Sequence, residues 1–386
     1  MTTSSRASHR VVPDTGRRAA PTLLALLLTA TATLTAQRPP ASSIADDETV
    51  VLFPTWASRP AGRDDAWRIA VVGQVFEPET DSKLREALVE AAIVSLDAIG
   101  LDPTGRARAR ARERLAAFVV DDESGERIVV AVGDTRAAMP RSSLDGSFAG
   151  ELLVTGDDAR ALGGTLTLRV VLPDGDARAM STLVHCHESE GVMIVSDIDD
   201  TVRIGTGDDA RSRLRDAIVA EYRAVPGMAA AYRALAEDGA ACAWLTAAPW
   251  PLHGPYAEFL RSGGFPAGSL RMRTIPLGRP DWLAALAQPT RHKRRALDEL
   301  LAAFPDRRFV LIGDTIQDDP EIFADVALAH GDRVLAILLR EDPARPPDAE
   351  RLARCFTRIP RAKHATFREA DEIAHRIAAA RRDGAP

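Results

Sequence analysis

Cysteine is scarce in this sequence, three in 386 residues, which excludes a disulfide-built scaffold and a cysteine-based zinc ribbon. Lysine is equally scarce, three against 46 arginines, so an arginine carries little information and a lysine carries more. Positive charge is not in excess either. The 49 basic residues face 55 acidic ones, a net charge of −6, and this argues against a general nucleic-acid binder. After residue 36 no apolar run approaches the roughly 20 residues of a membrane-spanning helix. What is present is a globular composition, 46% hydrophobic and 27% charged, long enough for two or three domains that each bury a core.

The start of the chain has a different character. Residues 1–18 carry Arg6, Arg10, Arg17 and Arg18 against Asp14, and an apolar stretch rich in Leu, Ala and Thr follows from Ala19 to Ala36. Ala30-Thr31-Ala32 has the small-x-small spacing of a cleavage site, and Ala36 is a second candidate. This order predicts a signal peptide over 1–36 and an exported protein, periplasmic or secreted. The first cysteine is Cys186, which argues against a lipoprotein anchor. Removal of 1–36 leaves 45 basic and 54 acidic residues, a charge of −9. Residues 37–48 read as a polar, Pro-bearing linker.

Two grammars divide the remainder. Over 49–188 the signals are short strands at 69–75, 127–132, 147–154 and 165–172, with every second residue apolar in Leu166-Thr167-Leu168-Arg169-Val170. Helical patterns at 83–99 and 106–118 interrupt them. This predicts a β-sandwich-like domain with a helical insertion. Over 191–386 short apolar runs at 192–195, 241–245, 309–312 and 334–339 alternate with helical patterns at 208–222, 226–237, 255–262 and 293–304. That is the pattern of an α/β fold wound on a parallel sheet, whose ligands bind beyond the carboxyl ends of the strands.

The residues at those strand ends are informative. The first run leads into Asp197-Ile198-Asp199-Asp200-Thr201-Val202, three carboxylates within four residues, which repel one another unless a cation neutralises them. Hard oxygen ligands on a tight loop suit Mg²⁺ together with a phosphate. The second run ends in the hydroxyl of Thr246, and the third in Gly313-Asp314, with Asp318 and Asp319 close behind. One acidic turn is weak evidence, whereas two acidic clusters and a hydroxyl after three buried runs form a constellation.

DIDDTV at Asp197–Val202 is similar to the first motif of the haloacid dehalogenase (HAD) superfamily. More narrowly, SDIDDT at Ser196–Thr201, TAAPW at Thr246–Trp250 and GDTIQDDPEIF at Gly313–Phe323 resemble the catalytic domain of the actin-patch type of phosphatidate phosphatase. FPAGSLRMR at Phe265–Arg273 and His292-Lys293 fit the same family. The resemblance covers about residues 191–340. It departs from the family at Thr246, Ala247, Ala248, Thr315, Ile316 and Asp318, with hydroxyls kept at 246 and 315.

The resemblance implies a HAD-like Rossmannoid domain that hydrolyses phosphomonoesters. Asp197 would be the nucleophile, forming an aspartyl-phosphate, and Asp199 the general acid and base. Thr246 would hydrogen-bond a phosphoryl oxygen, and Lys293 would neutralise charge on the phosphoryl group and nucleophile. Asp197, Asp199 through its main-chain carbonyl, Asp314 and Asp319 would hold Mg²⁺, with Asp318 competing for the last role. Asp200 reads as a loop residue and Thr201 as a turn cap.

The substrate class implied is phosphatidate or a related lipid phosphate. A phosphatase for sugar or protein phosphates and a non-catalytic binding protein on the same fold are the competing readings. The gaps between motifs hold no large cap domain, so an open site within 191–386 is expected, suited to a substrate presented on a surface. Arg106, Arg108, Arg110, Arg112 and Arg114 could contact an anionic membrane peripherally or form a solvated helix face. His185-Cys186-His187 could bind a soft metal, and Trp250 and His253 could shape substrate access. Cys242, within an apolar run, reads as inert.

Overall fold

Two hydrophobic periodicities produce two sheets. The computed structural model describes residues 41–78, 82–156, 163–275 and 292–383; the expected signal peptide and the start of the linker lie outside them. Strict alternation builds the first sheet. In β7 (Ser147–Thr155) Phe148, Leu152 and Val154 are buried while Glu151, Leu153 and Thr155 are exposed, the signature of a sheet with one wet face. β7 runs antiparallel to the long β3 (Ala66–Glu77), which also pairs with β1 (Thr49–Leu52), β2 (Thr55–Ser58) and β4 (Asp121–Asp122). From β2 the sheet continues through β9 (Ser181–His187), β8 (Thr165–Val170), β5 (Val129–Val132) and β6 (Thr135–Ala138). Its two ends share one core, in which Ile69, Val71 and Leu152 meet Val130, Leu168 and Val184. The sandwich-like arrangement is thus made by a single nine-stranded sheet.

Continuous apolar runs build the second sheet. β10 (Val192–Asp197) and β14 (Val334–Arg340) are buried at every position, as expected of parallel strands covered on both faces. With β11 (Ala241–Pro249), β12 (Ser269–Arg273), β13 (Arg308–Asp314) and β15 (His364–Phe367) they form a six-stranded sheet in the order β12-β11-β10-β13-β14-β15, all pairs parallel. Numbered within the sheet this is 3-2-1-4-5-6, the doubly wound order. Its switch point lies between β10 and β13, where ligands are held in such folds.

Alternate residues of each strand enter different cores. Ile194, Trp244 and Ile312 face one side; Val195, Leu245 and Leu311 face the other. The second face is covered by helices 292–303, 319–330 and 349–356, together with Trp56 from the first sheet. The first face is covered by helices 228–237 and 253–262 and by the helical insertion of the β-rich region, α1 (Lys83–Ala98) and α2 (Gly105–Ala116). Both sheets belong to one compact unit, Arg38–Pro386.

Arginine side chains fix the α1–α2 hairpin in place. The helical pattern at 208–222 resolves into α3 (Ala210–Leu214) and a π-helical turn, Arg215–Val219, whose C-terminal end leaves carbonyls without an intrahelical partner. Arg114 supplies a donor. Its Nη1 donates to the carbonyls of Ala217, Ile218 and Ala220 at 3.1, 3.2 and 2.8 Å, and its guanidinium lies over Tyr222. Arg110 donates to the Val219 carbonyl. Arg108 and Arg112 pair with Glu90 of α1. Four of the five alternating arginines are therefore engaged within the molecule.

Candidate active site

The strand-end motifs converge at the switch point. Asp197 ends β10 and Asp314 ends β13, on neighbouring strands, and Asp319 opens the helix 319–330 that follows. All three are buried, and one carboxylate oxygen from each lies within 4.8 Å of the others. Gly313 makes this approach possible, because a Cβ there would collide with the Asp319 carboxylate. Asp318 is exposed, which leaves Asp319 as the member of the cluster.

Lys293 reaches in from the helix 292–303. Its Nζ lies 2.7 Å from Asp197 Oδ1 and 2.6 Å from Asp319 Oδ1. Burial opposes an ammonium here, but the carboxylates of Asp197, Asp319 and Asp314 outweigh it and hold the lysine protonated, well above its ordinary value. One ammonium does not balance three carboxylates. Burial first, then the repulsion of neighbouring acids, pushes Asp197 and Asp314 well above the usual carboxylate range. Asp314 Oδ1 accepts the amides of Ile316 and Gln317 at 2.6 Å each, whereas its buried Oδ2 has no hydrogen-bond partner among the described residues. A compact, charge-deficient oxygen cluster with an unsatisfied carboxylate oxygen fits a hard divalent cation.

Asp199 faces a different environment. Its Oδ2 accepts from Thr246 Oγ1 at 2.6 Å and its Oδ1 from Tyr256 at 2.8 Å and Arg203 Nε at 2.8 Å. Burial would raise its pKa, but Arg203 and these hydrogen bonds overcome it and hold the carboxyl below its usual range. Its carboxylate lies outside the acidic trio, so a contribution to a metal would come from the main-chain carbonyl, as the resemblance implies. The Thr246 hydroxyl is committed to Asp199 and to the amide of Ala248 at 2.9 Å.

The loop between Asp197 and Arg203 is tightly tied. Thr201 Oγ1 donates to Asp197 Oδ2 at 3.0 Å, which orients the carboxylate from the far side of Lys293. Asp200 sits at φ 62°, a left-handed conformation that Asp tolerates. Arg340 donates to its carbonyl at 2.6 Å, and Arg345 and Gln317 bind its carboxylate. Gly205 lies so close to that carboxylate that a Cβ would clash.

Several of these residues escape sequence reasoning. Arg203, Arg340 and Arg345 are three among 46 arginines. Tyr256 had a usable signal: the chain contains three tyrosines, and Tyr222, Tyr232 and Tyr256 all lie at this end of the sheet, against Arg114, Ser196 and Asp199.

Beside Asp199 lies a cavity of about 440 Å³. Its walls include Ser95 and Leu96 of α1 and Ile99 that caps it, Leu214 of α3, and Ala248 and Pro249 of β11. The lining thus extends beyond 191–386, since the helical insertion of the β-rich region supplies part of the wall. Trp250 and His253 do not line it; they pack on Phe76 and Phe53 of the β-rich region at 5.3 and 5.2 Å. The His185-Cys186-His187 reading also falls. Among the described residues the acidic trio is the group with metal-holding geometry, and His187 packs on Phe304, its pKa driven down to about 3 by burial.

A family model described as phosphatidate phosphatase APP1, catalytic domain, matches residues 192–341. An uncharacterised protein of Schizosaccharomyces pombe, C29B5.04c, is 24% identical over 159 residues, 40% of this chain and 26% of that one. The chain thus spans about a quarter of the length of that curated relative. Among solved structures, one crystal structure is 18% identical, covers 50% of this chain and 97% of its own, and has a TM-score of 0.29. The ferredoxin-NADP+ reductase of Plasmodium falciparum is 7% identical, covers 76% of this chain and 97% of its own, and has a TM-score of 0.15. Neither score carries an argument about fold or function. The matched segment starts with β10 and extends to the residue after β14, so it contains the whole acidic cluster, Lys293 and the Asp199 cage. Residues 192–341 are therefore similar to the catalytic domain of phosphatidate phosphatase APP1, over the segment that carries the site.

Proposed function

We propose that the domain hydrolyses a phosphate monoester by way of an aspartyl-phosphate on Asp197, with Mg²⁺ as cofactor and phosphatidate or a related lipid phosphate as substrate. The observation that carries this reading is the buried cluster at the switch point, where Asp197 is held between Lys293 and Thr201 beside Asp314 and Asp319. A nucleophile needs a fixed direction, and two donors on opposite oxygens provide it. Asp197, Asp314 and Asp319 would hold Mg²⁺, which when bound neutralises phosphoryl charge and keeps Asp197 ionised.

The chain's own groups then account for the proton transfers. An Asp197 oxygen attacks phosphorus as the bond to the leaving alkoxide breaks, and Asp199 gives that oxygen a proton. Water next attacks the phosphoryl group, Asp199 takes its proton, and inorganic phosphate leaves as Asp197 is regenerated. The cage of Arg203, Thr246 and Tyr256 favours the ionised form of Asp199, the form required of the base. To act as acid, Asp199 must exchange part of that cage for the leaving oxygen. Lys293 spreads charge from the attacking carboxylate to the phosphoryl oxygens. The chain acts after export, with 1–36 removed, and the β-rich region serves the catalytic domain by walling the cavity.

The test is turnover by purified protein on a panel of phosphomonoesters, including phosphatidate, sugar phosphates and a phosphopeptide, with Mg²⁺ or with excess EDTA. Mg²⁺-dependent release of phosphate, fastest from phosphatidate, is expected. Full turnover in EDTA would overturn the metal assignment, and no release from any monoester would overturn the reaction.

A further inference from the structure

Helix α1 is amphipathic in an unusual sense. Val89, Ala92, Ile93 and Leu96 face the core. At 100° per residue, Leu84, Leu88, Ala91, Val94, Ser95 and Ile99 fall together on the opposite side. All six are exposed and none is charged. Leu84 is 67% exposed, Leu88 47%, Val94 61% and Ile99 44%, which is four of the nine exposed large hydrophobic residues among those described. A surface helix ordinarily places charge there. Glu90 and Asp97 of α1 instead face the α2 arginines, and the exposed Lys83 borders the apolar face at its N-terminal end.

This apolar face runs into the cavity beside Asp199. Ser95 and Ile99 belong to both, and Leu96, Leu214, Ala248 and Pro249 continue an aliphatic wall from them. Ile204, 42% exposed, adjoins Gly205 on the same lining. Arg211 and Arg213, both exposed, also line the cavity, and Arg211 Nε donates to the carbonyl of Ile99 at 2.8 Å. The carboxylates of Asp199, Asp200 and Asp216 also line the cavity, but its exposed charges, Arg211 and Arg213, adjoin the apolar face, an order that matches the boundary between acyl chains and phosphate headgroups.

We propose that the exposed face of α1 seats the cavity mouth on a lipid bilayer, so that an apolar chain of the substrate passes from the membrane into the aliphatic cavity while its phosphate reaches the cluster at Asp197. The proposal deepens the lipid-phosphate reading above and rests on it for the substrate. The occupant is a bilayer and not a second copy of the chain, because a partner seated on Ser95 and Ile99 would lie across the mouth that substrate must enter. The α2 arginines serve this arrangement indirectly, by locking α1 against the catalytic domain.

Partition of the full chain onto phosphatidylcholine vesicles, with and without phosphatidate, tests the proposal when compared with a Leu88→Glu, Val94→Glu pair. Neither residue lines the cavity, so turnover of p-nitrophenyl phosphate should be unchanged and reports an intact fold. The wild type should bind vesicles of either composition even at high salt. The variant should bind at least about tenfold more weakly, since two half-exposed aliphatic side chains are replaced by charges. A Leu88→Ser, Val94→Ser pair repeats the comparison without added charge. Equal partition of wild type and variants, or no binding by any of them, would overturn the proposal. So would a wild-type dimer in sedimentation that the Glu pair dissolves. Vesicle binding is read without catalysis, so it can fail while phosphatase turnover persists, and the reverse also holds.

Discussion

The two sheets differ most in what they bury. Around the parallel sheet, Asp197, Asp200, Asp216, Asp314 and Asp319 are buried together with Lys293, Arg203, Arg307 and Arg340. In the β-rich region the buried polar residues are mainly hydroxyls, such as Ser42, Thr55, Ser58, Ser142 and Thr182, with Gln74, Arg114, His185 and a single carboxylate, Glu48. Buried carboxylates are costly, and their concentration at one sheet end marks where the fold accepts that cost for chemistry. The β-rich region has no such cluster. Its contribution is apolar: α1 and α2 cover one face of the parallel sheet and complete the cavity wall.

The largest expected effect removes the charge at the centre of that contrast. Asp197→Asn should lower kcat by at least about 10³-fold, because the amide cannot attack phosphorus. It should leave the melting temperature unchanged or raised, since the carboxyl is already held well above its usual range by burial. Retained turnover in steady-state assays would break the comparison at its strongest point.

Lys293→Met should be the most destabilising change at the site, by about 3–5 kcal/mol, because it leaves buried carboxylates without their cation. The loss has a definite pH sign. Asp197 and Asp314 have folded-state values raised above the unfolded ones, so the native state holds more protons than the unfolded state as pH rises past the ordinary carboxylate range. Stability then falls with rising pH. Thermal melts of this variant should show a lower transition at pH 8 than at pH 5.5, and added Mg²⁺ should recover part of the difference.

In the β-rich region, Arg114→Met should cost about 2–4 kcal/mol by removing the Arg114 donor from the carbonyls of Ile218 and Ala220 and one of the two donors to that of Ala217. Chemical denaturation measures the loss. No comparable loss is expected from Arg106→Met, at an exposed position.

The smallest effect concerns the cage around Asp199. Arg203→Gln removes the leading stabiliser of the ionised carboxylate, so the alkaline limb of the kcat/KM profile, where Asp199 loses the proton it gives to the leaving oxygen, should move to higher pH. An unmoved limb would assign that limb to another group.

Much of this was legible in the chain. The strand-end rule located Asp197, Thr246 and Asp314, because fully buried parallel strands read as unbroken apolar runs with polar residues only at their ends. Lys293 was legible because lysine is rare. The strands at 269–273 and 364–367 were not marked by periodicity; Ser269-Leu270-Arg271-Met272-Arg273 alternates like an exposed strand, yet all five residues are buried. Arg271 explains part of the discrepancy, since it lies over Trp56 at 3.9 Å, a contact 215 residues away in sequence that no local pattern reports. The role of the α2 arginines was hidden for the same reason. Their partners, the carbonyls of a π-helical turn, exist only once 215–219 has folded.

The central claim, that the buried carboxylate ending the first parallel strand becomes phosphorylated, is tested most directly by rapid acid quench with ³²P-labelled substrate and Mg²⁺. Label should appear on the peptide containing Asp197, be sensitive to hydroxylamine as an acyl phosphate is, and be absent from Asp197→Asn protein. Phosphate release by wild type with no labelled peptide at any quench time, or undiminished turnover by Asp197→Asn, would contradict the account.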